Sequence, residues 1–383
     1  MSTQTETQAP AQPEKLFYID NLRIVLTVMV ILHHTFITYG ASGGWYYTQK
    51  TTNMGALIPM TMVVSLNQSF FMGFFFLLAA YFTQSSYDRK GAARFLSDRL
   101  LRLGVPLIFY SFIFSPFLSY LVYYFGKGQH ITYLQYLSGY DNWIEFGVLW
   151  FVAALLLFTF VYVLWRSITQ KATGHTNLPV PTTGRILLFA LTLGIISFLV
   201  RVVFPVGWVL KPLGFQPGHF TQYIGLFIVG LLAFKNNWFN ELPARTGKQS
   251  GLFAMLLLLF FPVFYIIRVK CNMPVSWYSG GFHWQTLLYA VWEQCIGICI
   301  ITALLTRGKR LWNKSTPLLA KLSRSAFAVY IFHPLAIISL SLALRNWVAD
   351  PAVKLLLAAP LAVICSFLIG LLMVRIPGVK KIL

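Results

Sequence analysis

Polar and apolar residues are segregated along this chain into long blocks instead of alternating at helical or strand period. Ten mostly apolar runs, each near the length of about 20 residues that a helix needs to cross a bilayer core, lie roughly at 17–39, 57–83, 100–125, 147–165, 185–205, 220–239, 251–268, 284–306, 319–344 and 352–374. Polar or turn-rich stretches such as 126–145, 171–184 and 307–317 separate them. The pattern predicts an all-α, polytopic transmembrane helix bundle of about ten spans. Residues 1–15 are polar throughout and read as a disordered cytoplasmic tail ahead of a single transmembrane domain over 16–383. The first apolar run is long enough to span and lacks a small-residue cleavage pattern after it, so it reads as a helix and not as a signal peptide.

Composition changes the picture in one respect. Only 10% of the 383 residues are charged, against about 25% in a soluble domain, while 57% are hydrophobic and 17% aromatic. The bilayer is therefore the main solvent. The net charge of +20 comes from 30 Lys+Arg against 10 Asp+Glu. With no Arg-rich run, zinc-finger spacing or aromatic RNA platform, that excess points to loops facing anionic lipid and not to nucleic acid.

The distribution of cations sets the direction of threading. With the N-terminus inside, 21 Lys and Arg fall on inner segments and helix ends and 8 on outer ones, Arg201 and Lys354 among the latter, with Arg23 left inside the first span. Both termini are expected to be cytoplasmic. The four cysteines, Cys271, Cys295, Cys299 and Cys365, form no CxxC pair and no ligand cluster, so neither a disulfide framework nor a metal site is expected.

Ionisable groups inside spans are costly and mark candidate function. The first span holds Asp20, Arg23, His33 and His34. At 100° per residue, Arg23 and His34 lie about 20° apart on one helix face and about 16 Å apart along the axis, while His33 is rotated about 80° away. A mid-membrane histidine near neutral pKa suits a general base, and a packed structural histidine fits the same spacing. Asp20, one turn before Arg23, is placed to pair with it. At the mouth of the third span, Arg99 and Arg102 stand i,i+3 and can clamp a phosphorylated ligand or flank the span as lipid-binding cations.

These two clusters resemble the membrane acyltransferase-3 family of bacterial O-acyltransferases. The resemblance is carried by Asp20-x-Leu22-Arg23 with His34, by Arg99-x-x-Arg102 before Gly104 and Pro106, and by two weaker matches: Leu149-Trp150-Phe151 opening the fourth span and Tyr330-Ile331-Phe332-His333-Pro334 in the ninth. It implies acyl transfer from cytoplasmic acetyl-CoA or another acyl-CoA, with no permanently bound cofactor, to a hydroxyl of a cell-surface or secreted glycan or small hydroxylated acceptor. By the same resemblance His34 is the base, Arg23 orients it or stabilises negative charge, Arg99 and Arg102 engage the CoA phosphates, and the protein resides in a bacterial inner membrane. The family's Phe-x-x-Ser-Gly-aromatic segment is replaced here by Phe76-Leu77-Leu78-Ala79-Ala80-Tyr81, which removes a hydroxyl. A proton-coupled transporter of a lipid or glycan is the competing reading, disfavoured by the lack of paired broken helices or repeats.

Other polar positions carry open alternatives. Glu293 in the eighth span can position the acceptor hydroxyl, balance Arg23 or pair structurally. Asn67, Gln68 and Ser69 can line a cavity or bond helix to helix, and His219 reads as an interface residue or as part of an acceptor site. His333 is expected to bond a backbone carbonyl freed by Pro334. The outer aromatics around Trp45, Tyr140 and Trp277, with Asp141 and Asn142, can form an interfacial belt or stack on sugars.

Overall fold

Helix starts in this chain are set by short polar caps and prolines where apolar runs begin. The side chains of Asn53, Thr316 and Asp350 accept from backbone N–H groups of the first helical turns at 2.9, 3.2 and 2.8 Å. Pro217, Pro317 and Pro351 occupy the opening positions of their helices, where a missing N–H costs nothing. The result, in a computed structural model that describes residues 16–169 and 178–382, is ten helices long and apolar enough to cross a membrane. They are Phe17–Tyr39, Met54–Lys90, Ala92–Gly126, Gly147–Thr169, Thr183–Val203, Pro217–Lys235, Ala244–Lys270, Trp284–Leu311, Pro317–Ala343 and Pro351–Met373. Among the described residues there is no β-strand, only an isolated bridge between Leu210 and Phe215. The expected architecture and span count hold, and the tail assigned to 1–15 lies outside the described residues.

Two spans depart from the expected plain helices. The second is broken at Ser69–Phe70, between Met54–Gln68 and Phe71–Lys90. The break exposes backbone inside the apolar slab, which is tolerated only where partners are supplied. Gln222 of the sixth span supplies one, its Nε2 donating to the Ser69 carbonyl at 2.7 Å and to Gln294 Oε1 at 3.0 Å. Gln68 donates to the Tyr223 hydroxyl at 3.2 Å. Of the alternatives for this polar stretch, Gln68 and Ser69 take the helix-to-helix one.

The third span contains three π-helical turns, Leu100–Gly104, Tyr110–Phe114 and Val122–Gly126. The first two end two residues before Pro106 and Pro116. A proline ring crowds the carbonyl four residues back and offers no N–H, so the preceding turn widens to an i→i−5 pattern. The N–H groups of Val105 and Ser115 accordingly bond to Leu100 and Tyr110.

The first, second, eighth and ninth spans bury the largest shares of their residues, whereas the seventh lies at the periphery with most of its apolar side chains exposed. Close approach in the core depends on Gly297: a Cβ there would land well inside contact distance of the Ser69 carbonyl oxygen. Gly297→Ala is therefore expected to destabilise the protein by roughly 1–3 kcal/mol through overpacking. Thermal unfolding in detergent checks this, and an unchanged transition would contradict the tight second–eighth span contact.

Candidate active site

The face of the first span that carries Arg23 and His34 leads to two distinct clusters at its two ends. Near the deeper end, His34 stacks on Trp45 with ring centroids 4.1 Å apart at 19° and on His333 at 5.3 Å and 19°. Trp45 and His333 are themselves 6.0 Å apart. His33 turns elsewhere, against Phe71 at 4.9 Å, and meets His34 only edge-on. Helix geometry thus separates the two adjacent histidines as the spacing predicts.

His333 Nδ1 lies 2.8 Å from the Tyr330 carbonyl, the group that Pro334 cannot use four residues on. The expected backbone bond is present. It fixes the proton on Nδ1 and leaves the Nε2 lone pair as an acceptor. Three buried ring nitrogens in this stack, His34 Nδ1, Trp45 Nε1 and His333 Nε2, have no hydrogen-bond partner among the described residues. An indole N–H that donates beside imidazole nitrogens that accept is a matched set for a hydroxyl group, which needs one of each.

Trp45 reaches the stack from the connection after the first span, which is tied down at several points. Thr51 Oγ1 donates to the Asp350 carboxylate at 2.9 and 3.1 Å, and Lys354 donates to Gln49 Oε1 and the Arg345 carbonyl at 3.3 and 3.2 Å. Lys354, read from sequence as an outer-segment charge, is instead buried in this clamp. The neighbouring Tyr46 hydroxyl is 2.9 Å from that of Tyr110, and its pKa is pushed up to about 12 by burial, with the Tyr110 bond pulling the other way. It remains a neutral phenol at physiological pH. Gly147 makes this contact possible: its φ of +46° suits only glycine well, and a Cβ would collide with Tyr46 and Tyr110.

At the basic end, Arg23 Nη1 is 3.5 Å from Asp20 Oδ1, the pairing its spacing predicts. The Arg23 guanidinium lies 5.1 Å from the centre of the Phe82 ring, and Arg99 Nη2 approaches Thr83 Oγ1 at 3.4 Å. Two motifs far apart in sequence therefore converge on adjacent residues of the second span. Arg102 is exposed on the same segment, and its charge and that of Arg23 both act on Arg99. Eleven residues of helix hold Arg23 about 16 Å from His34. Arg23 consequently cannot touch the histidine it was expected to orient. Nearby, Gly230 of the sixth span packs closely against Leu77 and Ala80 of the 76–81 segment, so close approach is kept although this segment has no glycine.

Glu293 does not balance Arg23. It is buried against Arg201 in a short ion pair, with His219 Nδ1 3.4 Å from its other oxygen. Arg201 also donates through Nε to the Gly218 carbonyl at 3.0 Å and sits 5.7 Å from the Tyr289 ring. Arg201, counted from sequence among the outer-segment cations, is fully buried. Sequence reasoning missed this cluster because an arginine near a helix end looks like a flanking charge. The signal available was Glu293 itself, which needed a cation within the slab.

Ten spans enclosing a histidine–indole stack, with guanidiniums gathered at one end, define a multi-pass membrane protein with ionisable groups inside the bundle. The chain belongs to the acyltransferase-3 family: the family model described as an acyltransferase domain matches residues 16–373. It is an acyltransferase, which sets aside the transporter reading. It is similar to glucans biosynthesis protein C of Salmonella paratyphi B, Salmonella enteritidis PT4 and Salmonella paratyphi A, in each case 22% identical over 342 residues that cover 86% of this chain and 84% of the relative. No solved structure matches the chain.

The Arg201–Glu293 geometry makes a prediction of its own. Removing one partner, as in Glu293→Ala, strands a buried charge and should cost about 3–5 kcal/mol of stability, while the paired change Arg201→Met with Glu293→Leu should recover most of it. Denaturation in detergent distinguishes these outcomes. A single variant as stable as wild type would remove the structural role.

Proposed function

We propose that this protein is an O-acyltransferase of a bacterial inner membrane. It moves an acyl group, acetyl in the first instance, from cytoplasmic acyl-CoA to a hydroxyl of a surface or secreted glycan. The excess of Lys and Arg on one set of connections supports a cytoplasmic basic end and cytoplasmic termini. The observation that carries the reading is the placement of Arg23 and Arg99 together at Phe82–Thr83, with His34 about three turns deeper on the Arg23 face. The glycan acceptor is supported by the relatives' name, glucans biosynthesis protein C.

In this reading Arg99 and Arg102 bind the phosphates of CoA, where guanidinium geometry favours bidentate contact. Arg23, held by Asp20, lines the same entrance and does not orient the base. The slender acyl-bearing arm follows the first span inward until its thioester reaches the His34 stack. His34 accepts the proton of the acceptor hydroxyl as its oxygen attacks the thioester carbonyl carbon. The C–S bond then breaks, the thiolate leaves, and the proton held by His34 is returned to sulfur. The indole N–H of Trp45 donates to the hydroxyl oxygen and holds it in line. Glu293 acts by keeping Arg201 and His219 in place and takes no part in proton transfer.

Two measurements test the assignment. Detergent-purified wild type should bind CoA saturably, and the Arg99→Ala/Arg102→Ala variant should bind it at least about tenfold more weakly; equal affinity would remove the donor site from these residues. His34→Ala should lower transfer by about a hundredfold or more while retaining CoA binding and the wild-type unfolding transition. Full transfer by a folded His34→Ala protein would overturn the mechanism.

A further inference from the structure

The outer end of the third span and the connection that follows it form a cleft of about 290 Å³ lined by Ser119, Tyr123, Gln135, Tyr136, Tyr140, Asp141 and Asn142 together with Ile131 and Gly139. Tyr123, Tyr136 and Tyr140 of its lining belong to a larger cluster of contacting aromatic rings. Tyr120 packs on Tyr133 at 5.1 Å, Tyr123 on Tyr136 at 5.1 Å, Tyr136 on Tyr140 at 5.8 Å and Tyr140 on Trp143 at 5.2 Å. The cleft is held in shape by the Tyr120 hydroxyl, which donates to the Ile131 carbonyl at 2.9 Å. A capping box adds to this: Thr132 and Gln135 exchange bonds, so the Gln135 carbonyl oxygen is engaged while its NH₂ group stays free. Interfacial belt residues sit singly with their rings among lipid headgroups. Here the rings touch each other around a hollow, and an exposed carboxylate and amide, Asp141 and Asn142, stand at its edge.

We propose that this cleft is a saccharide subsite that holds sugar units adjacent to the one being acylated. The proposal rests on the glycan reading above and sharpens it: the acceptor is an oligosaccharide, gripped outside the reaction centre. Tyrosine rings offer flat apolar faces to the C–H face of a pyranose and hydroxyls to its edge. Carboxylate and amide groups match vicinal hydroxyls, one accepting and the other both accepting and donating. Tyr140 turns its hydroxyl inward toward Ser115 and Ser119 and so offers the cleft its ring.

Side-chain neighbours lead from the cleft wall toward the His34 stack. Tyr46 lies within electrostatic reach of Tyr140 and Glu145, its ring meets Trp45 edge-on at 5.4 Å, and Trp45 covers His34. The cleft and the base thus lie on one continuous run of neighbouring side chains. Phosphate or phospholipid recognition is disfavoured, since a carboxylate and no cation lines this hollow.

The test is binding and transfer with defined gluco-oligosaccharides (cellohexaose, laminarihexaose and maltohexaose) and with glucose. Wild type should bind at least one hexamer saturably by calorimetry, and Tyr136→Ala/Asp141→Ala should weaken that binding about tenfold or more without altering CoA affinity. His34→Ala should bind the same hexamer as wild type does. In transfer, the cleft variant should raise KM for the hexamer with kcat little changed, and should erase the preference of wild type for hexamer over glucose. A cleft variant with unchanged hexamer affinity overturns the proposal. So does a wild type that binds CoA and acylates glucose yet binds none of the hexamers. Failure of wild type to bind CoA would instead count against the acyltransfer reading on which the subsite rests.

Discussion

Inside a bilayer every polar group must find its partner within the protein, because no water competes and none compensates. The arrangement of this molecule follows from that requirement. The carbonyl left free at the break in the second span draws Gln222 across from the sixth. Glu293 draws Arg201 and His219 into one buried cluster. The carbonyl displaced by Pro334 draws in the His333 ring and so fixes its tautomer. The polar atoms that remain unmatched stand out against this background, and three of them gather in the His34–Trp45–His333 stack.

The same requirement explains how chemistry is divided along the first span. Cations are cheapest where side chains can reach the interface, and Arg23 and Arg99 both lie toward the end of the bundle where Phe82 and Thr83 meet them. An imidazole can be carried much deeper because it can be neutral. A donor with a charged head and a slender neutral arm matches that gradient from cation to neutral base. An acceptor rich in hydroxyls matches the opposite end, where tyrosine, amide and carboxylate side chains surround an open hollow.

Much of this was legible in the sequence, for identifiable reasons. Span number and order follow from hydropathy alone, since each crossing needs its own apolar run. His34 was separable from His33 because both share one rigid helix and angular position is arithmetic there. The Asp20–Arg23 pair and the His333 backbone bond were also local, within four residues. What stayed hidden depended on contacts between distant segments. Trp45 looked like one more interfacial aromatic until the connection carrying it was seen pinned to Asp350 and Arg345. Arg201 and Lys354 looked like outer charges because their partners lie elsewhere in the chain. The break at Ser69–Phe70 has no proline to announce it, whereas two of the π turns in the third span do.

Those π turns have a consequence for how the third span can vary. Each carries one residue more than an α-helical turn would need, so each is a place where the chain can lose a residue and close back to regular winding. Such a loss would rotate everything beyond it by about 100°, turning Ser119 and Tyr123 while leaving Arg99 where it is. The turn at Tyr110–Phe114 therefore acts as a joint between the two mouths of the protein. The Ser119–Tyr123 end can be re-indexed against the Arg99 end by single-residue steps, without rebuilding either one.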